Sequence, residues 1–409
     1  MKKTSFPKDR IKILFLENIS QTAKITFAEA GFSDIEEIPG ALSESELKEK
    51  IRDVHILGIR SKTKVSKAVL RNAKKLLAIG CFCIGTNQVD LDAAAEEGIA
   101  VFNSPYSNTR SVAELVIGES ILLMRKIPEK NAAAHRGIWK KEATASHELR
   151  GKTMGIIGYG HIGSQVSILA ENLGLKVLFY DTEKKLALGN AQQISSLDSL
   201  LESSDIITLH IPLSKQTSNF INRKNIEKIK EGAVILNLSR GNVIDLKALK
   251  SAIENKRIKG AAIDVYPIEP EKNGDRFDCI LAGMENVILT PHIGGSTLEA
   301  QENIGREVAT KIIDFIDKGI STGSFSIPEI SLPPQKNTSR ILHIHKNVPG
   351  MLSEINSVVA KAGSNISAQY LNTKNEIGYV VLDIDKGSGK KVLKALNDIK
   401  NTIKTRILY

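Results

Sequence analysis

A histidine, an arginine and a carboxylate each follow a predicted buried strand in the second half of the chain. NVILTPH ends in His292, GAVILNLS is followed by Arg240, and AAIDVYPIEP carries Glu269. Because the carboxyl ends of parallel strands meet at one edge of a sheet, we expect these side chains to lie together. The histidine can accept a hydroxyl proton, the carboxylate can fix its tautomer, and the guanidinium can bind a substrate carboxylate. This set predicts oxidation of a 2-hydroxy acid.

Each member of the set also has an ordinary alternative. His292 lies in a Pro/Gly loop, LTPHIGGS, and could be a turn residue. Arg240 could form a surface ion pair, and Glu269 could be solvated. Their joint placement after strand ends favours the catalytic interpretation.

A glycine-rich segment, GIIGYGHIGSQV, lies between a predicted strand and a predicted helix. Gly158 allows a tight turn, Gly160 lets the backbone approach a pyrophosphate, and Gly163 lets the helix pack on the strand. The next strand, KVLFYD, ends in Asp181, which either binds a ribose 2′-hydroxyl or caps the following helix. The complete order predicts a dinucleotide site. Because a carboxylate repels a 2′-phosphate, we expect NAD and not NADP.

These residues are carried by short apolar runs that alternate with helical patterns, which is typical of parallel sheets covered on both faces. The first series of predicted strands is IKILFLE, HILGIR, LLAIGCF and IAVFN, and the second is KTMGIIG, KVLFYD, DIITLHI, GAVILNLS, GAAIDVY and NVILTPH. Two long helical stretches, TRSVAELVIGESILLMRKI and TLEAQENIGREVATKIIDFIDKG, precede and follow the second series. The return of the chain could complete the first lobe.

The C-terminal part has a different pattern. Residues 320–338 are rich in Ser, Pro and Gly, and we interpret them as a linker. Beyond them the order of elements is β-α-β-β-α-β in about 70 residues. The predicted fold is therefore α/β, with two doubly wound parallel-sheet (Rossmann-like) lobes and a C-terminal ferredoxin-like βαββαβ domain.

The composition excludes several classes of protein. The chain has 409 residues, and its 42% hydrophobic and 25% charged residues are ordinary for a globular protein. No apolar run approaches a membrane span, and the net charge of +10 is spread without a basic, aromatic-rich stripe. Cys81, Cys83 and Cys279 are too sparse for a disulfide framework and form no metal-binding pattern. We expect a cytoplasmic protein with no metal, nucleic-acid or membrane partner.

Three segments, AVILNLSRGNVIDLKAL, DVYPIEP and LTPHIGG, resemble those of the D-isomer-specific 2-hydroxyacid dehydrogenase family in order and spacing. The resemblance covers essentially the whole chain, and the terminal RILHIHKNVPG resembles an ACT domain. It implies a substrate-binding domain from residues 1–106 and 296–330, an NAD-binding domain from 107–295 and an ACT regulatory domain from 338–409. It also implies oxidation of 3-phosphoglycerate to 3-phosphohydroxypyruvate, the first step of serine synthesis, and leaves reduction of 2-oxoglutarate open.

The resemblance assigns roles residue by residue. Arg240, Glu269 and His292 are the implied catalytic residues: His292 is the acid/base, Glu269 is its carboxylate partner, and Arg240 binds and polarises the substrate. The implied NAD contacts are Gly158, Gly160, His161, Ile162, Gly163, Asp181, His210, Ser239, Arg240, Gly241, Asp264, His292, Gly294 and Gly295.

Anion binding in the first lobe is predicted from its basic strand end. Arg60, Ser61 and Lys62 lie at the end of HILGIR and would fit a carboxylate or phosphate, and Asn108 and Arg110 open the first long helix. The predicted substrate-binding residues are Arg60, Ser61, Lys62, Asn108 and Arg240. A basic turn and an ordinary helix start are the alternatives. Trp139, the only tryptophan, lies in a basic segment that the resemblance places near a partner subunit's active site; an exposed loop is the alternative.

The C-terminal domain needs a purpose of its own. His343 and His345 face one side of a strand, and Asn347 lies in the loop to the next helix. Asparagine side chains can both donate to and accept from a free amino acid. The resemblance to ACT domains implies L-serine as effector, bound by His345, Asn347 and Asn365 where two domains pair, in a homotetramer formed through NAD-binding and ACT interfaces. The alternative is an assembly module with both histidines on a solvated face.

Two other functions stay open at this point. The chain could be another D-2-hydroxyacid dehydrogenase, acting on glycerate or hydroxypyruvate, or a dinucleotide-sensing binding protein. The C-terminal domain and the basic segment Arg60-Ser61-Lys62 argue against the other dehydrogenase. The absence of a partner-binding tail or an added low-complexity segment argues against the dinucleotide sensor.

Overall fold

The computed structural model describes residues 6–270, 274–335 and 337–408. The chain forms two compact units, one made of Met1–Ser107 with Gln301–Tyr409 and one made of Asn108–Ala300. The sequence predicts that the chain returns to complete the first lobe after the second parallel-sheet series. The residues from Gln301 onward do lie in the first unit. Apart from residues 296–300, the predicted substrate-binding and ACT ranges lie in the first unit, and their boundaries as functional domains stay predictions.

The first unit begins with a parallel sheet built from the predicted apolar runs. Its elements are β1 (Ile13–Leu16), α1 (Gln21–Glu29), β2 (Ile35–Ile38), α2 (Glu44–Lys50), β3 (Ile56–Ile59), α3 (Lys67–Leu70), β4 (Ala78–Cys81), α4 (Leu91–Glu96) and β5 (Ala100–Asn103). The strands pair in parallel in the order β2-β1-β3-β4-β5. The sequence analysis did not identify β2, because its IEEI has no apolar run; it is a half-exposed edge strand.

The second unit contains the larger parallel sheet. Its elements are α5 (Thr109–Met124), α6 (Ile127–His135), β6 (Thr153–Ile157), α7 (His161–Asn172), β7 (Lys176–Tyr180), β8 (Gln192–Gln193), α8 (Leu197–Ser203), β9 (Ile206–Leu209), α9 (Arg223–Ile226), β10 (Ala233–Asn237), α10 (Leu246–Glu254), β11 (Ile258–Ile263) and β12 (Val287–Leu289). The strand order is β12-β11-β10-β9-β6-β7-β8. The order reverses between β6 and β9, and a doubly wound sheet binds ligands at the carboxyl ends of such strands.

The first long helical stretch of the prediction is two helices and not one. Helix α5 ends at Met124, and Lys126 adopts a left-handed conformation with φ of 56° before α6 begins at Ile127. Pro128 lies in the first turn of α6, where its missing N–H costs nothing. The same proline inside one continuous helix would remove a hydrogen bond and clash with the preceding turn, so the helix breaks here.

Residues 320–335 have no regular secondary structure but are packed, unlike the linker that the sequence predicts. The Phe325 N–H donates to the Val101 carbonyl at 2.9 Å, and the Ser326 hydroxyl donates to the Ile99 carbonyl at 2.6 Å. The Val101 N–H in turn donates to the Ser326 hydroxyl at 2.9 Å. The segment therefore satisfies polar groups of the edge strand β5, which a free linker would leave to water.

The remaining elements of the first unit are α11 (Leu298–Lys318), β13 (Thr338–Lys346), α12 (Met351–Lys361), β14 (Ile366–Lys374), β15 (Ile377–Asp385), α13 (Gly389–Asn397) and β16 (Thr402–Leu408). The last six confirm the βαββαβ prediction, in an antiparallel sheet with order β14-β15-β13-β16. Alternate residues of β13 face opposite sides: Ile341 packs with Ile355 of α12, and Leu342 packs with Phe315 of α11. The C-terminal sheet is thus covered on one side by its own helices and on the other by the first unit's core.

The two sheets and the C-terminal domain confirm the predicted fold class. No helix within the described ranges is long and apolar enough to cross a membrane. The described part of the chain also contains no cluster of histidine, cysteine and acidic residues suited to a metal ion. All three cysteines are free thiols, and Cys81 is buried in β4.

Candidate active site

The structure brings His292 and Glu269 together as the sequence predicts. Glu269 lies a few residues after β11 and His292 three residues after β12, and these strands are parallel neighbours. His292 Nδ1 lies 2.8 Å from Glu269 Oε2, and Glu269 Oε1 accepts a hydrogen bond from the Tyr266 N–H at 3.1 Å. With Nδ1 used by Glu269, Nε2 is the nitrogen that can exchange a proton with a hydroxyl group.

The hydrogen bond between the two side chains changes the protonation of both. It raises the pKa of His292 above the ordinary value, against the opposing effect of burial. Burial acts to raise the pKa of Glu269, but hydrogen bonds from His292 and from the Tyr266 N–H leave that pKa lowered. The pair therefore favours imidazolium beside carboxylate, which suits a histidine that must take up and release a proton.

Arg240 lies close enough to act electrostatically on both members of this pair. Its charge acts to lower the pKa of His292 and of Glu269. One guanidinium nitrogen, Nη1, donates to the Ser239 carbonyl at 2.7 Å, and the Arg240 carbonyl accepts from the Asn237 side chain at 3.0 Å. The backbone is thus fixed directly after β10, and other guanidinium N–H groups remain for a substrate carboxylate.

Asp264 organises the loop that carries His292. Its carboxylate accepts hydrogen bonds from the Thr290 hydroxyl at 2.7 Å and from the N–H groups of Ile293 and Gly294, both at 2.8 Å. His292 itself has a φ of 54°, a left-handed conformation that a non-glycine residue adopts only when its surroundings hold it. The family resemblance implies that Asp264 contacts the cofactor, and its hydrogen bonds in the structure run to the His292 loop, which follows the neighbouring strand. Thr290 is not among the predicted residues, although LTPH places its hydroxyl two residues before the histidine.

The glycine loop has the geometry that a dinucleotide requires. Gly158 has a φ of 93°, and a Cβ there would lie 2.5 Å from the His210 carbonyl oxygen. A Cβ on Gly163 would lie 2.1 Å from the Gly158 carbonyl oxygen, so the helix packs too closely for any side chain. Gly160 instead faces open space, and no side chain caps the start of α7. Open space beside a helix start that has no side-chain cap fits a pyrophosphate.

Asp181 lies at the end of β7, as predicted, and also holds the glycine loop. Its Oδ2 accepts from the Tyr159 N–H at 2.8 Å, and its Oδ1 accepts from the Glu183 N–H at 3.0 Å. A carboxylate can accept further hydrogen bonds beside these two. The residues present therefore fit NAD, with Asp181 beside the glycine loop.

The other predicted cofactor residues lie at neighbouring strand ends of the same unit. His210 follows β9, where burial lowers its pKa to about 3; Nε2 lies 3.0 Å from the Thr208 hydroxyl, and Nδ1 has no partner among the described residues. Gly241 leaves no room for a Cβ, which would lie 2.0 Å from the Tyr266 carbonyl carbon. The rest of the set is His161 and Ile162 at the start of α7, Ser239 after β10, and Gly294 and Gly295 after His292.

Asn108, a predicted substrate residue, lies against the His292 loop. A Cβ on Gly295 would come within 2.4 Å of its Nδ2, and its Oδ1 is buried with no hydrogen-bond partner among the described residues. Arg110 instead forms an exposed ion pair with Glu114 at 2.6 Å, which supports the ordinary alternative for that residue. Trp139 is 86% exposed.

In the first unit, Arg60, Ser61 and Lys62 directly follow β3, at the carboxyl edge of its sheet. The N–H groups of Arg60 and Lys62 donate to the carboxylate of Glu17, which follows β1. These two N–H groups are therefore already hydrogen-bonded within the protein, so an anion at this loop would contact the side chains. The sequence analysis did not identify Glu17, although it follows a strand of the same sheet.

The C-terminal domain contains a cavity of about 320 Å³ at the end of β13. His345 and Asn347 line it, and the Nε2 atom of the buried His345 has no hydrogen-bond partner among the described residues. Both His343 and His345 are buried, so the alternative of a solvated histidine face is wrong. Asn365 lies at the opposite end of β14 from the strand residues that line the cavity.

Comparison with known proteins agrees with this geometry. Residues 117–294 match the family model described as D-isomer specific 2-hydroxyacid dehydrogenase, NAD binding domain, and residues 341–404 match the AHAS small subunit-like ACT domain. The solved D-2-hydroxyisocaproate dehydrogenase is 26% identical with a TM-score of 0.70, covering 77% of this chain and 99% of that one. The TT0316 protein of Thermus thermophilus is 28% identical with a TM-score of 0.68, at the same coverage.

Curated relatives match over the full length of the chain. The D-3-phosphoglycerate dehydrogenase of Haemophilus influenzae is 52% identical over 407 residues, which are 100% of this chain and 99% of that protein. The enzyme of that name from Escherichia coli is 53% identical over 411 residues, with both chains fully covered. The chain therefore belongs to the D-isomer specific 2-hydroxyacid dehydrogenase family, and within it to the group of these D-3-phosphoglycerate dehydrogenases. It is an NAD-dependent oxidoreductase with a C-terminal ACT domain.

Proposed function

We propose that the chain oxidises 3-phospho-D-glycerate to 3-phosphohydroxypyruvate, the first step of L-serine biosynthesis. The observation that carries this proposal is the pair of His292 Nδ1 and Glu269 Oε2 at 2.8 Å, with Arg240 acting on both. The full-length match to D-3-phosphoglycerate dehydrogenases supports the phosphorylated substrate over other 2-hydroxy acids.

The side chains have distinct parts in this reaction. Nε2 of His292 accepts the proton of the substrate's 2-hydroxyl group, and Glu269 stabilises the imidazolium that forms. Arg240 binds the substrate carboxylate and polarises the forming carbonyl oxygen. Bound NAD supplies the acceptor for the hydride that leaves C2. The glycine loop and Asp181 hold this cofactor, and Arg60, Ser61 and Lys62 bind an anionic group of the substrate.

The experiment is an NADH absorbance assay with 3-phosphoglycerate, glycerate and lactate, and in reverse with hydroxypyruvate and 2-oxoglutarate. We expect a kcat/KM for 3-phosphoglycerate roughly ten-fold or more above that for the unphosphorylated acids. The reason is that the side chains of Arg60 and Lys62 gain an ionic partner only when the substrate carries a phosphate. Equal use of glycerate would instead indicate the related dehydrogenase. NAD binding without turnover on any acid would indicate a dinucleotide sensor.

We also propose that L-serine inhibits the enzyme at the ACT domain. The support is the cavity beside His345 and Asn347, where a buried histidine nitrogen lacks a partner among the described residues. Strand β14 is a sheet edge, and antiparallel pairing of two copies of it would bring Asn365 of one subunit toward Asn347 of the other. The effector then favours one arrangement of the subunits, which requires different affinities for the two states.

Inhibition of the full-length enzyme by L-serine tests this regulation, with Asn347→Ala and Asn365→Ala as variants. Both variants should keep the uninhibited rate and lose most of the inhibition, because neither residue has a part in the chemistry. A wild type unaffected by millimolar L-serine would leave the domain as an assembly module. Sedimentation of the same preparations tests the homotetramer that we propose, formed through NAD-binding and ACT interfaces. Cell fractionation tests the proposed cytoplasmic location.

A further inference from the structure

Glu17 is an acidic residue at the carboxyl edge of the first sheet, and its carboxylate accepts hydrogen bonds from three backbone N–H groups. Oε1 accepts from the N–H of Thr63 at 2.8 Å and of Arg60 at 3.3 Å, and Oε2 accepts from the N–H of Lys62 at 2.9 Å. Only 8% of Glu17 is exposed. Three hydrogen bonds to one buried carboxylate make a strong, orienting contact, because charge-assisted bonds exceed neutral ones in strength.

The backbone of Glu17 is held in an uncommon conformation that points its side chain at this loop. Glu17 and Asn18, directly after β1, have φ values of 66° and 51°. The Glu17 N–H donates to the carbonyl of Ile38, the last residue of β2, at 3.1 Å and to that of Gly40 at 3.3 Å. Because β3 is the other parallel neighbour of β1, the carboxylate reaches across to the loop that follows β3.

The side chain of Gln88 holds the same loop through the carbonyl group of Arg60. Gln88 Nε2 donates to the Arg60 carbonyl at 2.7 Å, and Gln88 is 7% exposed. Arg60 is thus held at its N–H by Glu17 and at its carbonyl by Gln88. Fixing both backbone groups fixes the direction in which its side chain leaves the loop.

The charges in this loop are arranged for an external partner. Arg60 and Lys62 lie beside a carboxylate that would ordinarily pair with one of them, but its oxygens are occupied by backbone N–H groups. In the part of the chain that the structure describes, neither charged end forms an ion pair or hydrogen bond. Glu17 orders the loop without forming an ion pair with either cation.

We propose that Glu17 is a positioning residue for anionic substrate: it holds the backbone of residues 60–63 so that the cations of Arg60 and Lys62 are presented unpaired and in fixed directions. This inference rests on the proposed function, which gives Arg60 and Lys62 a part in substrate binding. It predicts that Glu17 governs the KM of the phosphorylated acid and leaves the chemical step and cofactor binding alone.

The test is steady-state kinetics of full-length Glu17→Gln. The amide keeps one acceptor oxygen but replaces the other with a donor, so at least one loop N–H loses its partner. We expect the KM for 3-phosphoglycerate to rise about ten-fold, the KM for NAD to stay within about two-fold, and kcat to change little. The opposite result, a lower KM, would show that Glu17 acts only through its negative charge, and would overturn the positioning role.

Two further variants make the test specific. Glu37→Gln removes an exposed carboxylate in β2 of the same sheet, where it pairs with Lys24 of α1. This variant should leave kcat and both KM values unchanged. Gln88→Ala releases the Arg60 carbonyl and should raise the same KM by a smaller factor. It keeps the inference testable if Glu17→Gln fails to fold, which its thermal unfolding midpoint reveals. An unchanged KM in Gln88→Ala and Glu17→Gln would contradict the inference.

A double-mutant comparison separates this inference from the proposed function. In an Arg60→Ala/Lys62→Ala background, Glu17→Gln should change the KM less than about two-fold, because the side chains that it positions are gone. A full ten-fold effect there would overturn the positioning role. If Arg60→Ala/Lys62→Ala itself leaves the KM unchanged, the substrate role proposed for the loop is wrong, and the inference fails with it. A raised KM in that variant with an unchanged KM in Glu17→Gln overturns the inference alone.

Discussion

The loop after β3 and the loop after β12 belong to different sheets, and a carboxylate organises each of them in the same way. Asp264 accepts from two N–H groups and a hydroxyl of the His292 loop. Glu17 accepts from three N–H groups of the Arg60 loop. In both cases the acid follows the strand next to the one that precedes the loop, and it stabilises the backbone of the loop. The position of the Cα atom that carries the charged side chain is therefore fixed.

The two loops differ in what surrounds the charged side chain. His292 is paired with Glu269, which raises its pKa, while Arg60 and Lys62 have no ion pair in the described parts of the chain. A group that transfers a proton needs a partner that stabilises its charged form. A group that binds an anion loses strength if a protein carboxylate already neutralises it. The difference fits the roles that we propose, the chemical step for the His292 loop and substrate binding for the Arg60 loop.

The largest effect is expected for His292→Ala. Removal of Nε2 leaves no side chain to accept the hydroxyl proton, so kcat should fall by roughly two orders of magnitude or more. NAD affinity, measured by fluorescence titration, should stay close to wild type. His147→Ala, a histidine of the same unit outside the site, is the control. Near wild-type turnover in His292→Ala would return that residue to an ordinary turn position.

A smaller loss of kcat is expected for Asp264→Asn, which keeps the shape of the side chain. The amide cannot accept at both of its ends, so one of the bonds to Ile293, Gly294 or Thr290 is lost and His292 is no longer held with φ at 54°. We expect kcat to fall about ten-fold while the KM for 3-phosphoglycerate changes little. The corresponding change in the other loop, Glu17→Gln, should alter KM and spare kcat. The same pattern of constants in both variants would remove the functional distinction between the loops.

The sequence predicts most of the strands and the proximity of His292, Glu269 and Arg240, because apolar runs mark buried strands and polar side chains at their carboxyl ends share one edge of the sheet. It did not predict the two organising carboxylates. The family resemblance implies only a cofactor contact for Asp264, and nothing in the chain order indicates that Asp264 or Glu17 will accept from backbone N–H groups of the loop after a neighbouring strand. Residues 320–335 are packed because of their tertiary contacts with β5, and the helix breaks before α6 because of Pro128. Hydrophobic periodicity detects neither cause.

Asp181→Ala tests a third carboxylate that accepts from loop N–H groups, here those of Tyr159 and Glu183. If Asp181 also faces the ribose, its removal deletes the repulsion of a 2′-phosphate and the ribose hydrogen bonds together. The preference for NAD over NADP, as a ratio of kcat/KM, should fall about ten-fold. Asp198→Ala, which removes an exposed acid paired with Lys228, is the control. Equal use of both cofactors by the wild type would show that Asp181 only holds the loop.

The smallest change in rate is expected for Glu269→Gln, but the accompanying shift in the pH profile has a definite direction. The hydrogen bond that His292 donates to Glu269 raises the pKa of His292, and oxidation requires the neutral imidazole. Without the carboxylate that pKa falls, so the acid limb of the kcat profile for 3-phosphoglycerate oxidation should move to lower pH. In the reverse reaction His292 must be protonated, and the alkaline limb should move to lower pH as well. Glu285→Gln, which breaks an exposed ion pair with Arg136, should leave both profiles in place. Unmoved limbs in Glu269→Gln would mean that the carboxylate only orients the ring, and that the electrostatic difference between the two loops has no part in catalysis.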